Sequence, residues 1–142
     1  MPRRKSTDEL LKIIAQEEHL DNYFLENAAE FDQLSLPEFL EALLTAHGIS
    51  KSDAITRSGL DRVYAYQIFS GMKHPGRDKL LALCLAARAT LKETQHVLRL
   101  GGWNMLHPRN VRDSVVIHAI THEKSVDEIN EILYDMGLEM LQ

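Results

Sequence analysis

The sequence predicts an all-α protein of about seven to eight short helices. Apolar residues recur at intervals of three and four, the period of an amphipathic helix, and no stretch shows the alternation of a half-buried strand. Almost every apolar stretch also has its own start and stop signals, a capping Ser, Thr or Asp before it and a Gly near its end. The clearest start signals are the segments Ser6–Glu9, Ser35–Glu38, Thr90–Glu93 and Ser125–Glu128.

Residues 1–34 are expected to form an N-terminal helical extension. After a loose basic tail at residues 1–5, Ser6 caps a helix that runs to about His19, and Asp21 caps a second helix through Phe31. Both helices are acidic and amphipathic. They are expected to pack on the rest of the same chain or to form a dimer surface. A third alternative is that their acidic face competes for a basic face elsewhere in the chain.

Residues 35–106 are expected to form the central domain. Its first helix carries Pro37 in the first turn, where the missing N–H has no partner to lose, and ends at Gly48. Two shorter helices follow. A turn then leads to a helix over about 78–87, and a capped helix over about 90–101 closes the domain.

The two shorter helices occupy residues 50–71 and are joined by a tight turn. Ser50 caps the first helix, and Gly59 ends it because a residue without Cβ can adopt positive φ. Asp61 caps the second helix, and Gly71 ends it. The apolar positions that can pack the two helices together are Ala54, Ile55, Leu60, Ala65, Ile68 and Phe69. The outer face of the second helix carries Arg62, Val63, Tyr66 and Gln67.

Residues 107–142 are expected to form a C-terminal helical hairpin. Pro108 is placed at the first position of a helix that runs to about His122, and Ser125 caps a final helix that ends at Gly137.

The C-terminal hairpin resembles the preceding one at a shift of 35 residues. The pairs that coincide include Arg77–Asp78 with Arg112–Asp113, Glu93 with Glu128, Leu98 with Leu133 and Gly102 with Gly137. The hairpin is therefore either a second copy of residues 75–106 or a second capped hairpin that shares generic features.

The charge distribution is uneven along the chain. The net charge is −5, but residues 47–80 hold six basic against three acidic side chains. Residues 1–46 hold four basic and ten acidic side chains, and residues 81–142 hold six basic and eight acidic ones. Because charges farther away than about 8–10 Å are screened at physiological salt, the local basic block matters more than the total.

The composition favours a cytoplasmic protein. The single cysteine, Cys84, lies in an apolar run and cannot form a disulfide within the chain, so we expect a small buried side chain in a reducing compartment. No segment has the apolar length of a signal peptide or of a membrane span.

The histidines give only a weak indication of a metal site. His118 and His122 are four residues apart on one helix, but no third ligand with a matching spacing is evident. The repeat alignment places them on Leu83 and Ala87, which predicts hydrogen-bonded histidines in the core or at an interface. No metal or cofactor is expected. No nucleophile–base pair, glycine-rich phosphate loop or carboxylate dyad is present either, so we do not expect an enzyme.

The central segment resembles the helix-turn-helix of the phage-repressor-like (XRE, Cro/repressor-type) family of transcriptional regulators. The resemblance runs from about Leu36 to Leu91. It includes the Gly59–Asp61 turn, the Ile68-x-x-Gly71 end of the second helix, the Lys73–Pro75 loop and the Leu80–Cys84 helix. One departure is that Ile55 stands where the family usually has a small residue and Ala65 where it usually has Ile or Val, a volume swap that a core tolerates.

This resemblance implies a lambda-repressor-like domain that binds double-stranded DNA. It places Arg62, Val63, Tyr66 and Gln67 at base-contacting positions in the major groove. The residues themselves suggest phosphate contacts at the same face, and the candidates are Lys51, Ser52, Tyr64, Lys73, Arg77 and Lys79. The alternative for each charged residue is a solvated surface charge, and the alternative for Tyr64 and Tyr66 is packing on the neighbouring helices.

The sequence thus predicts a sequence-specific transcriptional regulator. Such a protein usually contacts two half-sites as a two-fold pair, so a homodimer through the terminal helices is expected. The alternative is a protein-interaction or adaptor module on a helix-turn-helix scaffold that does not bind DNA, which the acidic ends and the tyrosines of the second helix suggest.

Overall fold

A computed structural model describes residues 5–18 and 34–141 of the chain, and all regular structure within these ranges is α-helical. The helices are α1 Thr7–Gln16, α2 Leu36–Ala46, α3 Lys51–Ser58, α4 Arg62–Ser70, α5 Arg77–Ala86, α6 Leu91–Leu100, α7 Val111–Thr121 and α8 Val126–Asp135. The all-α class is therefore confirmed. The helix expected from Asp21 to Phe31 lies outside the described residues.

Helix α1 begins as predicted, with the Ser6 hydroxyl accepting a hydrogen bond from the Glu9 amide. It ends at Gln16, earlier than the expected end near His19. None of its residues is buried. Leu11 and Ile14 are exposed to solvent, so burial of an apolar stripe does not account for this helix.

The start and stop signals of α3 and α4 act as the sequence predicted. The hydroxyl of Ser50 accepts a hydrogen bond from the amide of Asp53, and Gly59 then ends α3 at φ 73°. The Asp61 carboxylate accepts from the amide of Tyr64, and Gly71 ends α4 at φ 84°. The left-handed backbone at Gly59 turns the chain sharply, so α3 and α4 pack on each other across a turn of three residues.

The core is built around α5, whose residues from Leu80 to Ala86 are all buried. Helices α3, α6 and α8 pack on α5, while α2 closes the far side by packing on α4 and α6. Ile55 in α3 and Ala65 in α4, where the large and small residues are swapped relative to the family, are both fully buried. Burial raises the pKa of the Cys84 thiol to about 12. The complete burial of Cys84 confirms the predicted buried side chain, and a thiol with a raised pKa is a poor nucleophile.

The hairpins α5–α6 and α7–α8 repeat their side-chain contacts at the 35-residue shift. Gln95 holds the main chain of Leu106 on both sides, with its amide donating to the Leu106 carbonyl and its side-chain oxygen accepting from the Leu106 N–H. Asn130 accepts from the N–H of Leu141 in the same way. Both hairpins also have a capping box before the second helix, at Thr90 and Ser125. These matched contacts favour the repeat over generic similarity.

The backbone repeats as well. Two non-glycine residues take positive φ within the described residues, Arg88 at 58° and Glu123 at 52°, and they are 35 positions apart. Gly102 and Gly137 follow the same spacing at 78° and 72°. Because positive φ is uncommon outside glycine, its recurrence at equivalent turns indicates that the two hairpins share one backbone design.

The start of α7 corrects the sequence prediction. Pro108 does not occupy the first helical position, because Asn110 caps the helix by accepting from the Asp113 amide, and α7 begins at Val111. Pro108 lies in the preceding turn, where its carbonyl accepts from the Ser114 hydroxyl. The Asn side chain is a strong capping group, and it sets the boundary three residues later than the proline suggested.

The position of His118 and His122 also differs from the prediction. Both side chains are exposed in the single chain, so the predicted core position is wrong, while a position at an interface with a partner stays a prediction. Their counterparts, Leu83 in α5 and Ala87 at its C-cap, are buried, and α3 packs on α5, whereas α7 packs mainly on α6 and α8. Among the described helices, only α6 and α8 pack substantially on α7, so the face that carries His118 and His122 is open to solvent.

None of the helices in residues 5–18 and 34–141 has the length and apolar content needed to span a bilayer.

Candidate nucleic-acid interface

The outer face of α4 projects into solvent. Ala65, Ile68 and Phe69 anchor the inner face of the helix in the core. On the outer face, Val63 retains 67% of its side-chain exposure and Tyr66 retains 40%. Among the described residues, no helix covers this face, so the valine and the tyrosine present apolar surface to solvent beside Arg62.

The guanidinium of Arg62 is held in place at the N-terminal end of this face. Its Nη2 donates a hydrogen bond of 2.7 Å to the hydroxyl of Ser52 on α3, and its Cζ lies 5.6 Å from the ring centroid of Tyr66. The cation therefore lies between a hydroxyl and an aromatic ring. One N–H group is used and the other donors remain available, which fixes the direction in which they can bind.

Ser52 and Tyr66 thus have a function that sequence reasoning missed. Ser52 was predicted to contact phosphate and Tyr66 to contact a base, whereas both touch Arg62. The partners are ten residues apart in sequence for Ser52 and four for Tyr66. Only the second spacing places two residues on one helix face, so a sequence signal existed for Tyr66 and not for Ser52.

Lys51 borders a groove beside α4. Its ammonium is paired with Glu41 and lies 5.2 Å from the ring centroid of Phe69. The groove is lined by Lys51, Val63, Tyr66, Gln67, Phe69 and Ser70. The structure thus brings three of the four predicted base-contacting residues into one concave surface, and Arg62 flanks it through its contact with Tyr66.

Lys79 and Tyr64, which were each predicted to contact phosphate, lie against each other. Tyr64 is half-buried and packs against the core, and the ammonium of Lys79 lies 5.3 Å from its ring centroid. Lys73 is exposed in the loop after α4, where its amide and that of Met72 both donate to the Gln67 carbonyl. The loop is therefore tied to the end of α4, and its lysine is carried next to the helix.

Arg77 is not available as a phosphate contact, in contrast to the prediction. Its guanidinium donates to both carboxylate oxygens of Asp113 and to the carbonyls of Asn104 and Met105. The side chain is only 22% exposed. With its donors directed into the chain, Arg77 joins the two hairpins, and the basic side chains that remain around α4 are Lys51, Arg62, Lys73 and Lys79.

No cluster of three or more metal-binding side chains occurs in the part of the chain that the structure describes.

The surface of α4 offers hydrogen-bond donors, a cation and apolar groups. This combination is suited to binding a polyanion with a patterned edge.

This chain matches no protein-family model, and no significant similarity to a curated protein or to a solved structure was found.

Proposed function

We propose that this protein is a sequence-specific DNA-binding transcriptional regulator with a phage-repressor-like helix-turn-helix, in which α4 enters the major groove. The observation that carries the proposal is the orientation of Arg62 by Ser52 and Tyr66 on the exposed face of α4. Ordering an arginine costs side-chain entropy, and a residue that has lost that entropy before binding contacts a base edge with a smaller penalty.

Each exposed group of α4 has a chemical counterpart on the base edges in the major groove of DNA. The free guanidinium donors of Arg62 match the O6 and N7 acceptors of a guanine. The methyl groups of Val63 match the 5-methyl group of a neighbouring thymine, and the amide of Gln67 can pair with an adenine. A site containing guanine next to thymine is therefore the expected core of the half-site.

The phosphate contacts come from both ends of α4. Lys51, at the N-terminus of α3, lies against Phe69 in the last turn of α4, whereas Lys79 lies over Tyr64 in its first turn and Lys73 lies in the loop that follows the helix. Helix N-termini and lysines bind phosphate without regard to sequence, so these groups set the register of α4 on the duplex. One helix specifies few base pairs, and two copies on adjacent half-sites are needed for a longer operator.

The test is selection of duplexes from a random pool by the purified full chain, followed by binding measurements at several salt concentrations. We expect one enriched motif and an affinity that falls steeply as salt rises, because lysine–phosphate contacts release counterions. Arg62→Ala is expected to lose about 1–3 kcal/mol on the selected site and much less on random DNA.

Arg99→Ala is the matched control, since Arg99 is an exposed arginine on α6, a helix that does not pack substantially on α4. It removes the same charge and is expected to leave discrimination unchanged. If no motif is enriched, or if Arg62→Ala and Arg99→Ala behave alike, the DNA-binding proposal is wrong. The adaptor alternative would then be favoured, in which the groove beside α4 receives a protein segment.

A further inference from the structure

His118 and His122 form an exposed pair at the C-terminal end of α7. Their ring centroids are 4.1 Å apart and the ring planes are inclined by 33°. Among the described residues, neither imidazole has a hydrogen bond or an ion pair to another side chain. The two rings therefore lie side by side with their nitrogens free.

Packing does not account for this pair. The equivalent residues in the first hairpin, Leu83 and Ala87, are 1% and 2% exposed, and they fill the core. Because this face of α7 is exposed, polar residues are expected there in place of leucine and alanine. Solvent exposure alone does not call for histidine at both positions. Two imidazoles one helical turn apart have a further property, because this spacing allows both to bind one metal ion.

The surroundings of the pair favour a cation. His118 lies in the last turn of α7 and His122 is its C-cap residue. The carbonyl end of a helix carries a partial negative charge, which attracts positive ions. Neutral imidazole is a preferred ligand of zinc and of the neighbouring first-row metals.

Two ligands leave such a site incomplete. A structural zinc ion takes four protein ligands, and no third metal-binding side chain within residues 5–18 and 34–141 lies close enough to contribute. In a two-fold pair of chains, the same patch of both copies meets at the axis. A second copy would therefore supply two more imidazoles and close a tetrahedral site.

We propose that His118 and His122 bind a zinc-type divalent cation together with the same two histidines of a second copy of this chain. The ion then links two chains through α7, a helix other than the terminal helices through which a homodimer was expected. The site does not depend on DNA, and it stands whether or not α4 binds a duplex.

The test is titration of the untagged full chain with zinc chloride, with magnesium chloride as the comparison, followed by calorimetry and sedimentation velocity. We expect one zinc ion per two chains and a zinc-dependent doubling of mass. If the chain is already paired without zinc, we expect the pair to resist dilution better with the metal. Magnesium, which prefers oxygen ligands, is expected to have no effect.

The variant H118Q/H122Q keeps polar side chains on an exposed helix face and is expected to abolish zinc binding with an unchanged circular dichroism spectrum. His74→Ala removes an exposed histidine from the loop after α4 and is the control that should bind zinc normally. The proposal is overturned by an absence of zinc binding, by zinc binding that survives in H118Q/H122Q, or by one zinc ion bound to a single chain. Because the assay contains no DNA, none of these outcomes bears on the proposed regulator function.

Discussion

The guanidinium of Arg77 donates to both carboxylate oxygens of Asp113 at 2.9 and 3.0 Å, and Arg112 donates to both oxygens of Asp78 at 3.0 and 2.8 Å. Each hairpin therefore gives one arginine and one aspartate to the other. Such a reciprocal exchange indicates a local two-fold relationship between the hairpins. In a head-to-tail stack, the arginine of one hairpin would meet the aspartate of the other only once, and the remaining arginine and aspartate would have no partner. The interface inside this chain thus has the form of a symmetric dimer interface.

The two ion pairs are expected to differ in their contribution to stability. Asp113 is more buried than Asp78, with side-chain exposures of 9% and 28%. Removing an arginine from a buried carboxylate leaves an uncompensated charge, so Arg77→Ala should lower the free energy of unfolding by about 3 kcal/mol. Arg112→Ala leaves a better hydrated carboxylate and should cost about 1 kcal/mol. Urea denaturation followed by the fluorescence of Trp103, the single tryptophan, measures both.

Arg112→Ala serves as the matched comparison, since it deletes the same side chain from the equivalent position. Equal losses of unfolding free energy in the two variants would show that the different burial of Asp113 and Asp78 does not determine the contribution of the ion pairs. Folded Arg77→Ala should also bind DNA with an unchanged salt dependence. A reduced salt dependence would restore Arg77 as a phosphate contact.

The Asp113 ion pair also predicts a pH dependence of stability. Burial raises the pKa of this carboxyl, but hydrogen bonds from Arg77 and from the His107 amide outweigh burial and hold the pKa below its ordinary value. A carboxyl with a lowered folded-state pKa contributes stability above the unfolded-state pKa, near 4, and loses it as pH falls through the lower folded-state value. The stability difference between the natural chain and Asp113→Asn should therefore be constant from pH 7 to about 5 and shrink below about pH 4. A difference that persists undiminished at pH 2 would show that the charge of Asp113 is not what matters.

Much of the fold could be predicted because its signals are local. The capping residues and glycines that bound α2 to α4 act within three or four residues of their targets, and the sequence displays that spacing directly. The 35-residue repeat was visible for the same reason, since Arg77–Asp78 and Arg112–Asp113 are adjacent pairs. That the arginine of one pair meets the aspartate of the other was not visible, because it depends on how two hairpins dock.

The errors share one physical cause, which is the absence of tertiary context. His118 and His122 were aligned with core residues, but within the described residues no helix packs on α7 in the way that α3 packs on α5. Arg77 was assigned to DNA because it lies in a basic stretch, and Asp113 lies 36 residues away from it. The hydrogen bond from Arg62 to Ser52 was missed for the same reason, while the phosphate contact of Ser52 stays a prediction.

Gly76 is predicted to be a stabilising site. It is the N-cap of α5 and makes no side-chain cap, although its φ and ψ of −68° and 166° resemble those of Ser125, at −77° and 168°. A Cβ added at Gly76 meets nothing within 4 Å. Gly76→Ser should therefore gain a capping hydrogen bond and lose unfolded-state entropy, raising the free energy of unfolding by about 0.5–1 kcal/mol.

Gly59→Ser is the contrasting substitution. Gly59 also has open space around its missing Cβ, but its φ is 73°. A side chain there is strained by about 1 kcal/mol, so this variant should unfold at lower denaturant. If Gly76→Ser is no more stable than the natural chain, the first-turn amides of α5 have another partner.

The Ser52–Arg62 hydrogen bond is expected to act on DNA binding only through Arg62. Ser52→Ala should weaken binding to the selected site by about 0.5–1.5 kcal/mol, because the guanidinium loses the group that orients it. In an Arg62→Ala background the same substitution should have almost no effect. This double-mutant cycle separates the two roles of Ser52, since a serine that contacts phosphate directly would weaken binding by the same amount in both backgrounds.

Lys73 is expected to bind phosphate and no base. It is exposed in the loop that is tied to the end of α4, and within the described residues its ammonium has no ion-pair partner. Lys73→Ala should weaken binding to selected and random duplexes alike, and the slope of log affinity against log salt should fall by about one. Lys92→Ala removes an equally exposed lysine from α6 and should leave the slope unchanged. A loss confined to the selected duplex would instead place Lys73 at a base edge, and equal slopes for both variants would place the loop away from the DNA backbone.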